Sequence, residues 1–387
     1  MLNDISKHIP RKAILVAVNI NRNLEFDEDV AEAVSLAESA GYEVLQVLTS
    51  NRQKPDSSYF VGSGKAEEIK ILCDAVKPNV LIINHNIQPF QERNLDKIMS
   101  GVRIVDRTQL ILEIFADRVK SGEGLLQVEL AEQSYLATRL VRRWTHLERQ
   151  RGGIGLRSGS GEKQIELDKR QISDKVATLK KRLNVLIKQR ETQRKARIKS
   201  GINSVSIVGY TNAGKSTLFN MLTKANVYAE NMLFATLQTT SRKLFIDEDN
   251  EIILSDTVGF IRELPTKLIA AFRATLEETV YANLLLHVVD ASSNLRDRQI
   301  DDVNIVLNEI DANNIPQIII YNKIDLIDGL EAMIKYDENN IPEAVYISAE
   351  NNIGLDLLRQ AIIEKLAYIQ SNSHNNQELV YEPWKIK

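Results

Sequence analysis

Cysteine is almost absent: Cys73 is the single one in 387 residues. One thiol makes neither an internal disulfide nor a multi-cysteine zinc site, so the chemistry rests on other groups, and a reducing compartment fits. Long apolar runs are also missing. A run such as Leu284 to Val289 falls far short of the roughly 20 residues a membrane span needs, and the opening MLNDISKHIPRK has no apolar leader core. These absences predict a cytoplasmic protein without an integral membrane segment. No internal repeat is visible. What is present is enough apolar material, 43% of the chain, to bury two or three cores.

The net charge of -3 conceals a strong polarisation. Arg139 to Lys199 holds 19 Lys or Arg against 6 Asp or Glu, an excess of 13 positive charges that leaves the rest of the chain with an excess of 16 negative ones. A region of that kind seeks polyanions.

Along residues 1–123, the β-rich runs AILVAVNI, YEVLQVLTS, NVLIINHN and VRIVD alternate with helical patterns at Asp27 to Ala40 and Lys65 to Ala75. That alternation predicts a small α/β domain with a largely parallel sheet. Residues 124–199 lose the strand signal. Leu126, Leu130, Ala137, Leu140, Trp144 and Leu147 share one helical face, and Ile172, Val176, Leu179, Leu183 and Leu186 alternate steps of four and three on a second helix. Between them lies a glycine-rich basic break, RGGIGLRSGSGEK, residues 151–163. Two helices joined by such a loop make an arm. A second α/β pattern occupies residues 200–370, and the polar stretch from Ser371 reads as a flexible tail, residues 371–387.

The second α/β region carries four motifs in order. The strand-like SVSIVG runs into Gly209, Tyr210, Thr211, Asn212, Ala213, Gly214, Lys215, Ser216 and Thr217, a GxxxxGKS loop that opens a helix. Its glycines let backbone amides curl around phosphates at a helix N-terminus, Lys215 neutralises the β and γ oxygens, and Ser216 offers a hydroxyl to Mg2+. Asp256, Thr257, Val258 and Gly259 follow an apolar strand, where the aspartate can hold the magnesium shell through water and the glycine amide can meet the γ-phosphate. Asn322, Lys323, Ile324 and Asp325 end another strand, and Asp325 can accept from N1–H and the exocyclic amine of guanine, a pattern adenine lacks. Ser348, Ala349 and Glu350 can close the far side of the base with a backbone amide. The four together imply GTP or GDP as ligand, GTP hydrolysis as activity and Mg2+ as cofactor. A threonine for the metal should lie between the first two motifs, and spacing alone does not separate Thr236, Thr239 and Thr240. The fold class predicted is α/β: a P-loop GTPase domain with a mostly parallel sheet and helices on both faces, preceded by the small α/β domain and the two-helix coiled-coil arm. The upstream VGSGKAEEI lacks the full loop spacing and reads as a turn opening a helix.

The string DTVGFIRELP from Asp256 to Pro265, with LFATLQ before it and AFRATLEE after it, closely resembles the HflX family of translational GTPases. The likeness extends upstream through RTQLILEIFADR, LQVELA and WTHLERQRGGIGLRSGSGEKQIELDKR, so it covers most of the chain after residue 100. It implies that Thr236 is the direct magnesium ligand of the first switch beside Ser216, and that Phe234, Ala235, Thr236, Leu237 and Gln238 line the nucleotide. Lys215, Thr236 and Gly259 are then the catalytic set. Asn212 stands where some potassium-activated GTPases hold a monovalent cation, which makes K+ a second candidate cofactor. Phe260 follows Gly259 where many regulatory GTPases place a water-orienting glutamine, and a phenyl ring cannot orient water. Slow intrinsic hydrolysis completed by a partner is the expectation.

Around the glycine-rich break, Arg139, Arg142, Arg143, Arg149, Arg151, Arg157, Lys163, Lys169 and Arg170 can track an irregular RNA surface; Trp144 and His146 can stack on bases, although Trp144 reads first as packing between the two helices. The foremost candidates for RNA contact are Arg149, Arg151, Gly152, Gly153 and Arg157. The family resemblance implies the large ribosomal subunit and its RNA as partner and the splitting or rescue of stalled ribosomes as role. A subunit-assembly GTPase and a nucleotide-gated RNA-binding scaffold with little catalysis are the rival readings. No DNA partner is expected, and the chain should act as a monomer.

Overall fold

The computed structural model describes residues 11–99, 101–119, 121–143, 160–199, 202–224, 233–234, 240–247, 250–262, 276 and 278–375. It divides into two compact units, Met1–Ile187 with Pro265–Phe272, and Lys188–Leu264 with Arg273–Lys387.

In the first unit, strands β1 (Arg11–Ile20), β2 (Tyr42–Arg52), β3 (Val80–Ile83) and β4 (Arg103–Asp106) form a sheet in the order β2-β1-β3-β4, with every pairing parallel. Strand β1 is buried without interruption from Ala13 to Val18, as a strand covered on both faces must be. The connecting helices are α1 (Phe26–Ser39), α2 (Ser63–Val76), α3 (Pro89–Ile98) and α4 (Arg107–Arg118). Helix α2 follows Gly62 directly, so VGSGK is a turn that opens a helix. Helix α3 is started by a reciprocal capping box between Gln88 and Gln91 with proline at its first turn. Helix α4 is capped by the Asp106 carboxylate, which accepts from the Gln109 amide at 2.9 Å.

Helices α5 (Gly122–Arg143) and α6 (Ser160–Lys199) meet through Leu130, Leu179 and Leu183, flanked by Leu126, Val176 and Ile187. The seam passes to Ile187 where a strict heptad expects Leu186, because a helix of 3.6 residues per turn drifts past the seven-residue repeat. One expectation for α5 is corrected. Arg139, placed with the RNA-facing cations on sequence grounds, is buried. It donates to the Ile87 carbonyl at 2.8 Å and pairs with Glu92 at 3.0 Å and with the Asp106 carboxylate. Its guanidinium lies 4.8 Å over the Tyr135 ring, whose hydroxyl donates to Asp106 at 3.0 Å. The packing of α5 against α3 and α4 brings Arg139 to the one buried carboxylate there, and burial pushes that Asp106 carboxyl up even against the cation.

The second unit holds a seven-stranded sheet made of β5 (Asn203–Gly209), β6 (Thr240–Phe245), β7 (Glu251–Asp256), β8 (Leu284–Asp290), β9 (Gln317–Asn322), β10 (Ile334–Tyr336) and β11 (Pro342–Tyr346). The order is β10-β11-β9-β8-β5-β7-β6, parallel except for the two edge strands. Helices α7 (Lys215–Thr223) and α9 (Leu355–Asn375) bury Leu218, Phe219, Leu358 and Ile362 against Val205, Ile207, Leu286, Val288 and Ile320. Helix α8 (Arg296–Glu309) packs on β5 and β8 through residues outside that cluster. Residues 371–375, expected as flexible tail, are helical, since α9 runs on to Asn375. No glycine or proline interrupts it, and polar residues are tolerated on an exposed helix end. Residues 376–387 lie outside the described residues. Among the described residues no helix is long and apolar enough to cross a membrane.

Replacing Arg139 by Met keeps the stem packing but strands the Asp106 carboxylate in the interior. The expected cost is about 3 to 5 kcal/mol, read as faster native-state amide exchange in α4 and α5.

Candidate active site

Strand β5 ends at Gly209, the chain turns through residues 210–214, and α7 starts at Lys215, so the GxxxxGKS motif is a strand–loop–helix junction at the carboxyl end of an interior strand. Open parallel sheets place ligands at that end. Asn212 and Gly214 both take positive φ, +61° and +93°. Alternation of this kind turns successive amides toward one concavity, a nest for an anion. A Cβ on Gly214 would lie 2.2 Å from the Asn322 amide nitrogen, so no other residue fits there.

Lys215 is buried, and its Nζ donates to the Tyr210 carbonyl at 2.6 Å. Burial pushes the ammonium down to about 8, Asp256 opposing and Lys323 assisting. A cation held in that condition is poised for a strong anion. Ser216 Oγ donates to Asp256 Oδ2 at 2.9 Å, which sets a hydroxyl and a carboxylate side by side at the start of α7. These hard oxygen groups, at the mouth of a phosphate loop, fit Mg2+, which takes one or two protein oxygens and completes its octahedron with phosphate and water.

The segment after β7 is laid directly on the phosphate loop. The Thr257 hydroxyl donates to the Ile207 carbonyl at 2.6 Å, the Phe260 amide to the Gly209 carbonyl at 3.1 Å, and the Thr211 amide to the Phe260 carbonyl at 2.7 Å. Gly259 lies so close that a Cβ would sit 2.9 Å from Thr211 Cγ2 and 3.0 Å from Lys215 Nζ. Val258 is buried beside it, and so is the Phe260 side chain, which is 2% exposed.

Asn322 joins the remaining motifs. Its Nδ2 donates to the Ala213 carbonyl at 2.9 Å and its Oδ1 accepts from the Ala349 amide at 2.9 Å, so one buried side chain ties the phosphate loop to the Ser348–Glu350 turn. The turn is closed by paired bonds between Ser348 and Ile353, both 3.0 Å, and Ser348 Oγ accepts from Asn351 at 3.2 Å. Lys323, at φ +65°, pairs with Asp290 at 2.6 Å. Ile324 is buried, whereas Asp325, in the 3-10 turn Ile324–Leu326, and Glu350 are exposed.

Four separated motifs thus meet at one end of one sheet. Among the other sequence-based candidates, Phe234 is buried with φ +58°. Ala235, Thr236, Leu237 and Gln238 lie outside the described residues, as do Arg149, Arg151, Gly152, Gly153 and Arg157. Two contributors escaped the sequence reading. Asp290 was signalled only as the acid ending the buried run LLLHVVD, and the Tyr210 hydroxyl, which accepts from the Arg262 amide at 2.9 Å, had no signal at all.

Comparison with known proteins agrees with this geometry. Residues 204–323 match the family described as 50S ribosome-binding GTPase, residues 27–116 the GTP-binding GTPase N-terminal region and residues 118–197 the GTP-binding GTPase middle region. The chain is 50% identical over 356 residues to GTPase HflX of Escherichia coli strain K12, covering 92% of this chain and 83% of that one. It is 38% identical to GTPase HflX of Flavobacterium psychrophilum, covering 97% and 95%. A solved GTP-binding protein of Sulfolobus solfataricus in complex with GDP is 26% identical over 92% of this chain and 99% of that one, with a TM-score of 0.46.

Asn322→Ala would leave the Ala213 carbonyl and the Ala349 amide buried without partners, each at about 1 to 3 kcal/mol. GDP affinity measured by calorimetry is expected to fall at least about ten-fold, with a lowered thermal midpoint. The junction of β5 with α7, the Gly259 segment laid upon it and the identity with the two HflX relatives place the chain in the HflX family of GTPases, P-loop enzymes that bind GTP and hydrolyse it to GDP and phosphate.

Proposed function

We propose that this GTPase works on the large ribosomal subunit, gripping its RNA in the GTP state and splitting or rescuing stalled ribosomes in the cytoplasm. The observation that carries the reading is the charge of α6. Lys169, Arg170, Lys180, Lys181 and Arg182 are exposed, and among the described residues none of them forms an ion pair. No acid stands four residues from Lys180, Lys181 or Arg182, where a solvated structural face would carry one, and a cationic face gains by releasing counterions from a polyphosphate. The glycine-rich basic stretch ahead of α6 suits an irregular RNA surface through Arg149, Arg151, Gly152, Gly153 and Arg157, while residues 160–163, expected in the same loop, are the first turn of α6. The match to a ribosome-binding GTPase family supports the same partner.

The chemistry follows from the site. The amides of the phosphate loop and the Lys215 ammonium take up the β and γ oxygens, and the amide of Gly259 meets the γ-phosphate. Ser216 and Thr236 would hold Mg2+ directly and Asp256 through water. When bound, the metal would neutralise charge on the phosphate oxygens. Asp325 pairs with guanine at its two donors, with Lys323 held over the base by Asp290. Thr236 and Gly259 release their segments once the γ-phosphate leaves, which lowers affinity for the subunit.

Hydrolysis by the isolated chain is slow in this reading. The Phe260 ring is buried and carries no group that orients water, so a partner completes the geometry. The same burial is the one observation that favours the scaffold reading, in which GTP persists even on ribosomes.

Purified 50S subunits are expected to raise the hydrolysis rate strongly, and 70S particles given the non-hydrolysed GTP analogue should run as separated subunits on a sucrose gradient. Stimulation without splitting, together with precursor particles in cells lacking the protein, would favour the assembly role. No stimulation and no co-sedimentation would remove the ribosome from the reading. Reversing Lys180, Lys181 and Arg182 to Glu should weaken co-sedimentation and flatten its salt dependence, by about one unit of slope for each phosphate that is no longer neutralised.

Asn212 adds a cation test. With K+ bound beside the phosphates at Asn212, hydrolysis in potassium buffer should exceed that in sodium buffer at least about ten-fold, a barrier difference of roughly 1.4 kcal/mol. Equal rates would exclude a potassium role.

A further inference from the structure

The segment from Asp256 to Arg262 is fixed to the phosphate loop and to β5 at successive points, among them the Asp256 carboxylate on the Ser216 hydroxyl and the Thr257 hydroxyl on the Ile207 carbonyl. The Phe260 amide and carbonyl bond to Gly209 and Thr211, and the Phe260 ring is buried. A further point is the hydroxyl of Tyr210. It accepts from the Arg262 main-chain amide at 2.9 Å, in a residue that is itself 8% exposed. The same residue's carbonyl accepts from Lys215 Nζ at 2.6 Å. Tyr210 therefore touches, through its two ends, the cation that meets the phosphates and the backbone just beyond Gly259.

Tyr210 occupies a variable position of the GxxxxGKS motif, where phosphate binding asks only for a backbone amide. A tyrosine there is not needed to hold phosphate, and a phenyl ring would fill the same volume. The hydroxyl is the part that requires an explanation. We propose that Tyr210 is a positioning residue whose hydroxyl latches the Asp256–Arg262 segment onto the phosphate loop and so aims the Gly259 amide at the γ-phosphate. The proposal rests on the Gly259 role given above. Bonds before Gly259 at Thr257 and after it at Phe260 and Arg262 leave its peptide little freedom, and the latch closes the last of these. A ligand without a γ-phosphate makes no use of that aim, whereas a triphosphate does.

The test is Tyr210→Phe in the full chain, which deletes one oxygen and keeps the ring. Without nucleotide, the Arg262 amide should exchange with solvent about five-fold faster, the equivalent of one ordinary hydrogen bond. The ratio of affinities for the non-hydrolysed GTP analogue and for GDP should fall about five-fold, and kcat for GTP should drop by a similar factor with a smaller change in KM. Native exchange at Arg262 would overturn the latch itself. Faster exchange with an unchanged affinity ratio and kcat would leave the hydrogen bond real and overturn its link to Gly259. Equal losses for GDP and the analogue would also overturn the proposal, since they point to general damage of the loop.

Discussion

A buried amide side chain has to satisfy both its donor and its acceptor, and Asn322 does so on two loops distant in sequence, at Ala213 and Ala349. Three of the four nucleotide motifs are thereby held in one geometry before any ligand arrives. The constraint reaches further. Gly214 is glycine because the Asn322 amide occupies the space of its Cβ, and the positive φ of that glycine helps build the anion nest ahead of Lys215. The fourth motif is bound to the same loop by main-chain bonds to Gly209 and Thr211. Preorganised donors of this sort need no rearrangement when charge develops on a phosphate, which is where a GTPase gains most of its rate.

The sheet makes such a constraint sustainable. Strand β5 is flanked by β7 and β8, so the phosphate loop, the Asp256 segment and Asp290 emerge from three neighbouring strands at the same end. Apolar residues of α7 and α9 lock the strands from one face, and α8 packs on β5 and β8. Displacing any one loop means shifting a strand inside a close-packed core, and such cores respond in discrete steps rather than smooth deformation. Residues at the loop tips are the natural place for nucleotide-dependent change.

Much of this was legible in the sequence because motifs with a fixed chemical task leave fixed spacings. The loop 209–217, the Asp256–Gly259 turn, and the residues around Asn322 and Ser348 all lie where the spacing placed them, and the parallel sheet of the first unit follows from the alternation of its strands. What was not legible depends on tertiary partners. Helix α3 announces itself through Gln88, Pro89 and Gln91, a cap whose reciprocal bonds only the fold reveals. Arg139 counted as one cation among many, and only the fold reveals that Asp106 lies buried opposite it. The tail from Ser371 looked flexible by composition, but propensity is a weak prior and α9 simply continues to Asn375.

The burial of Arg139 bears on how the basic region should be read. A count of Lys and Arg treats every charge as available to a polyanion, but a guanidinium that neutralises Asp106 and Glu92 inside the first unit contributes nothing outside it. Its work is to fasten α5, and with it the packing of Leu130 on Leu179 and Leu183, onto the small α/β domain. Under the proposed reading, the cations of α6 offered to RNA are those on its exposed side, where Lys180, Lys181 and Arg182 follow one another around a turn whose inward residues are Leu179 and Leu183. Burial therefore sorts the basic residues into two groups with opposite duties: one charge anchors the helix pair, and the others are presented by it.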